Sequence, residues 1–153
     1  MIAASEKLNQ FWARTGAEVV VALNDESEVV AFEARWGLKL PSDFRDYLRF
    51  ACPEDVNFIL DEPYTDWWPL SRIKTIAEEC DHPVQNAAVA GHEHQYLVFA
   101  DGYLWCWAWA IACTEDDNQG RIVILNGAGD PFVAPSFTAF VDAWIADPMS
   151  VEP

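Results

Sequence analysis

The feature that most constrains this chain is a change in the spacing of its apolar residues, from a helical period before about residue 95 to a period of two after it. Ser5 is placed to cap a first helix carrying Leu8, Phe11 and Trp12 on one stripe, with Gly16 as its stop. Asp25 and Glu28 have capping-box spacing ahead of Val29, Phe32 and Trp36, and Gly37 suits the left-handed position that closes a helix. Pro41 opens a third helix with Phe44, Tyr47, Leu48 and Ala51 inward, and Pro53 prevents its continuation. Ser71 is expected to cap a fourth, with Ile73, Ile76, Ala77 and Cys80 inward. Beyond it, 96–100 and 103–112 read as a hairpin joined by a tight Asp101-Gly102 turn. Residues 121–125 supply another strand, ended by Asn126-Gly127, and Phe132-Val133 a short edge strand flanked by prolines. Ser136 then caps a last helix that turns Phe137, Phe140, Val141, Trp144 and Ile145 inward. Helices, an antiparallel sheet and a closing helix make the α+β pattern. With 153 residues and no repeat or linker, a single domain over 1–153 is expected.

Charge narrows the partners. Nine basic residues stand against 25 acidic ones, a formal charge of −16. Through Lys74 the balance is 8 basic to 13 acidic, or −5; after it Arg121 alone faces 12 acidic residues, or −11. Such a field repels nucleic acid and anionic membrane and speeds encounter with a basic partner. It also keeps a chain with eight Trp and nine Phe in solution. No stretch reaches the ~20 apolar residues a bilayer crossing needs; 96–113 comes nearest and is interrupted by Asp101. The opening MIAASEKLNQFW lacks a basic segment followed by an apolar run, so a cytoplasmic location is expected. The four cysteines (Cys52, Cys80, Cys106, Cys113) form no CxxC pair and are expected to be reduced, buried thiols.

The run FEARWGLKLPSDFRDYLRF, residues 32–50, resembles the signature of the SUKH superfamily, which includes Smi/Knr-type regulators of fungal cell-wall assembly and many bacterial toxin-immunity proteins. The matching parts are Phe32-Glu33, Arg35, Gly37, Leu40-Pro41, Phe44, Tyr47 and Leu48. WPLSRI (68–73), FADG (99–102) and PSFTAFVDAWI (135–145) follow in the family's order, so the resemblance spans about 24–147. Two features depart from the pattern. Ala51-Cys52-Pro53-Glu54 stands where an Asn-Gly turn is usual, and 103–112 is unusually rich in Trp. The resemblance implies an antiparallel sheet with flanking helices, no cofactor, a protein-binding role and no catalytic residues.

Tyr103, Trp105, Trp107, Trp109 and Ile111 alternate with Leu104, Cys106, Ala108, Ala110 and Ala112, which gives a strand one aromatic face and one of mostly small residues. The aromatic face is either core or a docking surface. Trp67 and Trp68 cannot share a face on an extended segment, so one of them is the better candidate for exposure. With the acidic loop Glu115, Asp116 and Asp117, the candidate partner-binding set is therefore Trp67, Trp68, Trp105 and Trp107 as anchors and the three carboxylates for steering. His92-Glu93-His94 and Cys80-Asp81-His82 match no recurring zinc spacing, so no metal or other cofactor is expected. No GxSxG, HExxH, P-loop or dinucleotide glycine pattern is present, and Glu78-Glu79 and Asp116-Asp117 are adjacent pairs whose carboxylates point apart. Acid–base catalysis needs convergent groups. The expectation is a non-enzymatic monomer or homodimer that neutralises a cognate toxin, a nuclease for example, by direct binding; the alternative is a scaffold for an endogenous cell-wall or signalling protein.

The charge generates a first test. Titration of labelled duplex DNA at about 0.15 M salt is expected to show no saturable binding, because the non-specific phosphate term is repulsive here. A measurable isotherm would mean a basic surface that the sequence does not reveal.

Overall fold

The computed structural model describes residues 2–55 and 64–153. Three helices come first: α1 (Ala4–Thr15), α2 (Glu26–Trp36) and α3 (Ser42–Phe50). Local chemistry sets their ends. The Asp25 carboxylate accepts from the Glu28 N–H while the Glu28 carboxylate accepts from the Asp25 N–H, a complete capping box for α2. Gly16 and Gly37 close α1 and α2 in the left-handed conformation. The start of α1 differs from expectation. Ala3 holds the cap position without a side-chain bond, and Ser5 is buried just inside the helix, its hydroxyl donating to Asp46 of α3. Contact between helices has claimed that side chain.

Among the described residues six strands form one antiparallel sheet: β1 (Thr65–Trp67), β2 (Lys74–Thr75), β3 (Tyr96–Gly102), β4 (Trp107–Ala112), β5 (Ile122–Leu125) and β6 (Phe132–Ala134). Their order is β1-β3-β4-β5-β6, and β2 shares the β1 edge, pairing with Leu97 and Val98 while β1 pairs with Ala100, Asp101 and Gly102. The fourth helix, α4 (Ile76–Glu79), is a single turn. It is shorter than the helix expected from Ser71, because Lys74 and Thr75 are drawn into the sheet and Thr75 becomes the cap. Ile73 and Ile76 are buried as expected, but Ala77 is exposed. Ser136 caps α5 (Phe137–Ala146), and a short 3-10 turn (Pro148–Val151) follows.

The α1, α3 and α5 helices pack together on one face of the sheet. Between them and the strands lies a continuous aromatic cluster. Phe99 meets Phe44, Phe137 and Phe140 at 5.5–5.6 Å between ring centres, and Trp67 meets Trp12, Tyr47 and Trp144 at 5.2–6.2 Å. Trp109 stacks edge-on against Phe140, and its indole N–H donates to the Val151 carbonyl. The second face carries Val98, Ala108, Ala110, Val123 and Leu125, and it is buried too, with α4 against β3. Two-sided burial corrects the reading of Trp67 and Trp68. They do point to opposite faces, but both faces are covered, and both rings are buried at 2% and 0% exposure. It also assigns Trp109 and Ile111 to the core.

The hairpin differs from expectation in its turn. Asp101 and Gly102 belong to β3, opposite Ala108 and Trp107, and the reversal is made by 103–106. Tyr103, Leu104 and Trp105 take left-handed backbone angles of φ 49°, 54° and 67°, so the strand alternation does not extend through them. Gly102 is required for a different reason. Its partner Trp107 lies across it, and a β-carbon there would fall 2.3 Å from Trp107 Nε1 and 2.7 Å from Cε2. Gly102→Ala is therefore expected to lower stability by about 1–3 kcal/mol, read as a lower urea midpoint at unchanged m-value. The Trp107→Ala background should lose most of that penalty, which a double-mutant cycle measures.

Candidate partner-binding surface

The surface has to be built from what the two ends of β4 present. Six residues at about 3.4 Å each place its ends roughly 20 Å apart. The acidic loop follows one end and the turn 103–106 precedes the other. The structure thus separates Glu115, Asp116 and Asp117 from Trp105 and Trp107, which sequence order sets side by side. Trp67 and Trp68 lie in the core and offer nothing to a partner in this conformation.

Within the acidic loop the three carboxylates are exposed but unequal. Asp116 accepts from the Thr114 hydroxyl at 2.6 Å and from the Asn118 N–H at 2.9 Å, and these bonds hold its carboxyl below the usual range. Asp116 organises the turn. Glu115 and Asp117 are left as the charges displayed on it. Gln119 donates to the Lys39 carbonyl at 3.4 Å, which ties the loop to the α2–α3 connection.

At the opposite end, one buried carboxylate organises the turn. Asp101, 2% exposed, accepts from the Trp68 indole N–H at 2.6 Å and from the Trp105 backbone N–H at 2.8 Å. The Trp105 indole N–H donates to Glu79 of α4 at 2.9 Å. Tyr103 packs between Tyr64 and Trp107, with ring centres 4.8 Å away on each side, and its N–H donates to the Tyr64 carbonyl. Trp105 and Trp107 are half-buried, while Leu104 protrudes at 68% exposure. Sequence reasoning missed Tyr64 and Leu104. No local signal marks a tyrosine or leucine for a left-handed backbone, which ordinarily falls to Gly or Asn.

One concavity adjoins the turn and another lies beside α2. A recess of about 290 Å³ beside Trp105 is lined by Cys80, His82, Val84, Leu125 and Asp130 among others. A wider groove of about 590 Å³ runs between α2 and 69–71, with Phe32, Arg35, Glu28 and Leu70 on its walls. Among the described residues no group of three or more His, Cys, Asp or Glu side chains is placed to hold a metal ion, and no helix is long and apolar enough to cross a membrane. The 32–50 signature serves the scaffold. Glu33 accepts from the Leu40 N–H and from Arg45 Nε, and Arg45 also pairs with Glu26, so the motif braces the α2–α3 junction.

A family model described as SMI1 / KNR4 family (SUKH-1) matches residues 24–143, from the residue before the α2 cap to the last turn of α5. No curated protein matches the chain, and no solved structure does.

The thiols give this surface a chemical handle. All four cysteines are free, and Cys106, expected to be buried, is exposed because it stands in the turn. Burial pushes the Cys52 and Cys113 thiols up to about 12; burial, with neighbouring carboxylates, pushes Cys80 up to about 11. At pH 8 a disulfide reagent is expected to titrate one thiol quickly, and Cys106→Ser to abolish that phase. The raised thiols also fix a sign. Unfolded cysteines ionise from about 9 while the folded ones keep their protons, so stability should fall as pH rises from about 9 toward 12. Denaturation series across that window check it.

Proposed function

The chain belongs to the SMI1 / KNR4 family (SUKH-1), and from that premise we propose that it acts by binding another protein, as an immunity protein that neutralises a cognate toxin. The observation that carries the reading is the family match over 24–143, which takes in α2, α3, the whole sheet and most of α5. The family is one of non-catalytic immunity and regulatory proteins, which supports binding over chemistry. The −16 charge supplies the sign of the partner. A toxin that acts on nucleic acid must hold polyphosphate and therefore carries a basic cleft. An acidic antagonist finds such a cleft quickly and in a salt-dependent way.

Co-expression with a large toxin encoded beside the chain's own gene tests the reading. The expected result is restored growth and a stable complex on gel filtration. Growth that stays arrested, with no complex, removes the immunity role and leaves a scaffold for an endogenous protein as the alternative. The acidic loop has its own expected outcome in that complex. Glu115→Gln with Asp117→Asn, keeping Asp116 because it braces the turn, should slow association several-fold and flatten its salt dependence, with dissociation little changed. Stopped-flow kinetics in two salt concentrations reads both. Unchanged association at both would make the loop a solvated turn.

A further inference from the structure

Six described non-glycine residues adopt left-handed backbone: Leu23, Tyr64, Tyr103, Leu104, Trp105 and Asp130. Four of them, Tyr64 and the run 103–105, meet at one end of the sheet, and Asp130 lines the recess beside Trp105. Left-handed backbone strains a non-glycine residue, because it brings the β-carbon too close to the following carbonyl oxygen. A turn that served only to reverse the chain would place Gly or Asn there. Here the strained positions carry Tyr, Leu and Trp, and the strain is held by Asp101, by the Tyr64 carbonyl and by Glu79. Leu104 gains nothing from burial where it stands, at 68% exposure, and Tyr103 is 41% exposed. What the strained backbone secures is the presentation of apolar side chains on a rigid support, and strain of this kind gathers at binding sites.

The electrostatics of the same end select the partner. No Lys or Arg lines the recess. Asp130 is the acidic side chain in the lining, held by the Gln85, Asn126 and Gly127 N–H groups, and burial first, then Glu79, Asp130 and Asp81, raise the Cys80 thiol beside it, so the recess presents a carboxylate to a partner. Lys74 pairs with Glu79 at 3.2 Å, and Arg72 lies over the Trp68 ring, but Glu78 and Asp81 remain exposed. A second copy of the chain would bring −16 against −16. An acidic partner is disfavoured for the same reason.

We propose that the sheet end formed by Tyr64, Tyr103, Leu104 and Trp105 is the docking edge, and that its partner is a protein surface offering an apolar socket flanked by lysine or arginine side chains. The proposal rests on the protein-binding reading and adds the place and the chemistry. Leu104 enters the socket, the Tyr64–Tyr103–Trp107 row forms one wall of the contact, and the recess with its Asp130 carboxylate receives the flanking cation.

The test uses the full chain and three synthetic probes: an amphipathic Leu/Lys peptide, a Ser/Lys peptide of equal charge and a Leu/Glu peptide. Amide and indole NMR shifts are followed in about 0.15 M salt, with the alkylation rate of Cys106 as a second readout. The Leu/Lys peptide alone is expected to bind saturably, to shift 103–107 and the Trp105 indole, and to slow Cys106 alkylation several-fold. Leu104→Ser should weaken it by about tenfold or more, a hot-spot loss, and Leu104→Met should restore it. Leu104 is exposed, so neither variant burdens the fold. Equal binding of the Ser/Lys peptide, shifts centred on 115–118 or on the groove beside α2, or no saturable binding overturns the proposal. Failure here is distinct from failure of the immunity role. A toxin complex indifferent to Leu104→Ser sinks the docking edge alone, and peptide binding at 103–107 without protection from the toxin sinks the immunity role alone.

Discussion

All seven residues of β3 are buried, and the rest of the molecule answers to that constraint. A strand covered on both faces needs apolar cover on both, which this chain supplies unequally: large rings on the helix side, alanines and valines on the other. Alternation from Leu97 carries Phe99 into the helix-side cluster, where it meets Phe44, Trp67, Phe137 and Phe140, and the irregularity between Val98 and Ala100 turns Ala100 to that face and Asp101 to the other. Each well-placed aromatic pair adds about 0.5–1.5 kcal/mol beyond burial, and with Trp12 against Trp67 these pairs join three helices to the sheet. On the small-residue side, short side chains leave room for backbone to approach closely, and α4 comes against β3 there.

Covering both faces has a consequence at the strand's end. Asp101 points to the small-residue face and is buried with it, so its carboxylate needs donors. It takes the Trp68 indole and the Trp105 amide, and these bonds fix the left-handed turn. A buried carboxyl group, a tryptophan that could not stay exposed and a strained turn are thus one arrangement. A turn immobilised before any encounter spares the ordering cost of about 0.5–1.5 kcal/mol per side chain that a flexible loop meets on binding.

Much of the helical half was legible because caps and stops are local chemistry, although Ser5 and Ser71 lost the capping role to a contact with Asp46 and to the strand pairing of Lys74 and Thr75. Asp25 with Glu28, Gly37 and Ser136 act within four residues of where they stand. The family signature was legible too, and in the structure Glu33 and Arg45 brace the α2–α3 junction. The proposed partner surface was less accessible to sequence. Whether Trp67 and Trp68 are covered depends on layers contributed by distant segments, which alternation cannot reveal. Asp101-Gly102 has the chemistry of a tight turn, yet β1 and β4 pair with both residues and extend the strand past them. Proximity in sequence also misled, because residues at the two ends of one strand are neighbours in the chain and far apart in space.

That separation limits how charge and anchor can cooperate. The loop holding Glu115 and Asp117 and the turn holding Leu104 lie roughly 20 Å apart along β4, more than twice the screening length of about 8 Å at physiological salt. The loop therefore exerts little force on a group already seated at the turn. It acts only on the part of a partner that passes over the loop itself. An interface of ordinary size, about 800 Å² on each side, is about 30 Å across and covers both ends at once. A small ligand or single peptide helix seated at the turn leaves the loop in solvent. The acidic loop and the apolar turn can thus belong to one site only if the partner is a folded protein whose basic surface continues well beyond its apolar socket.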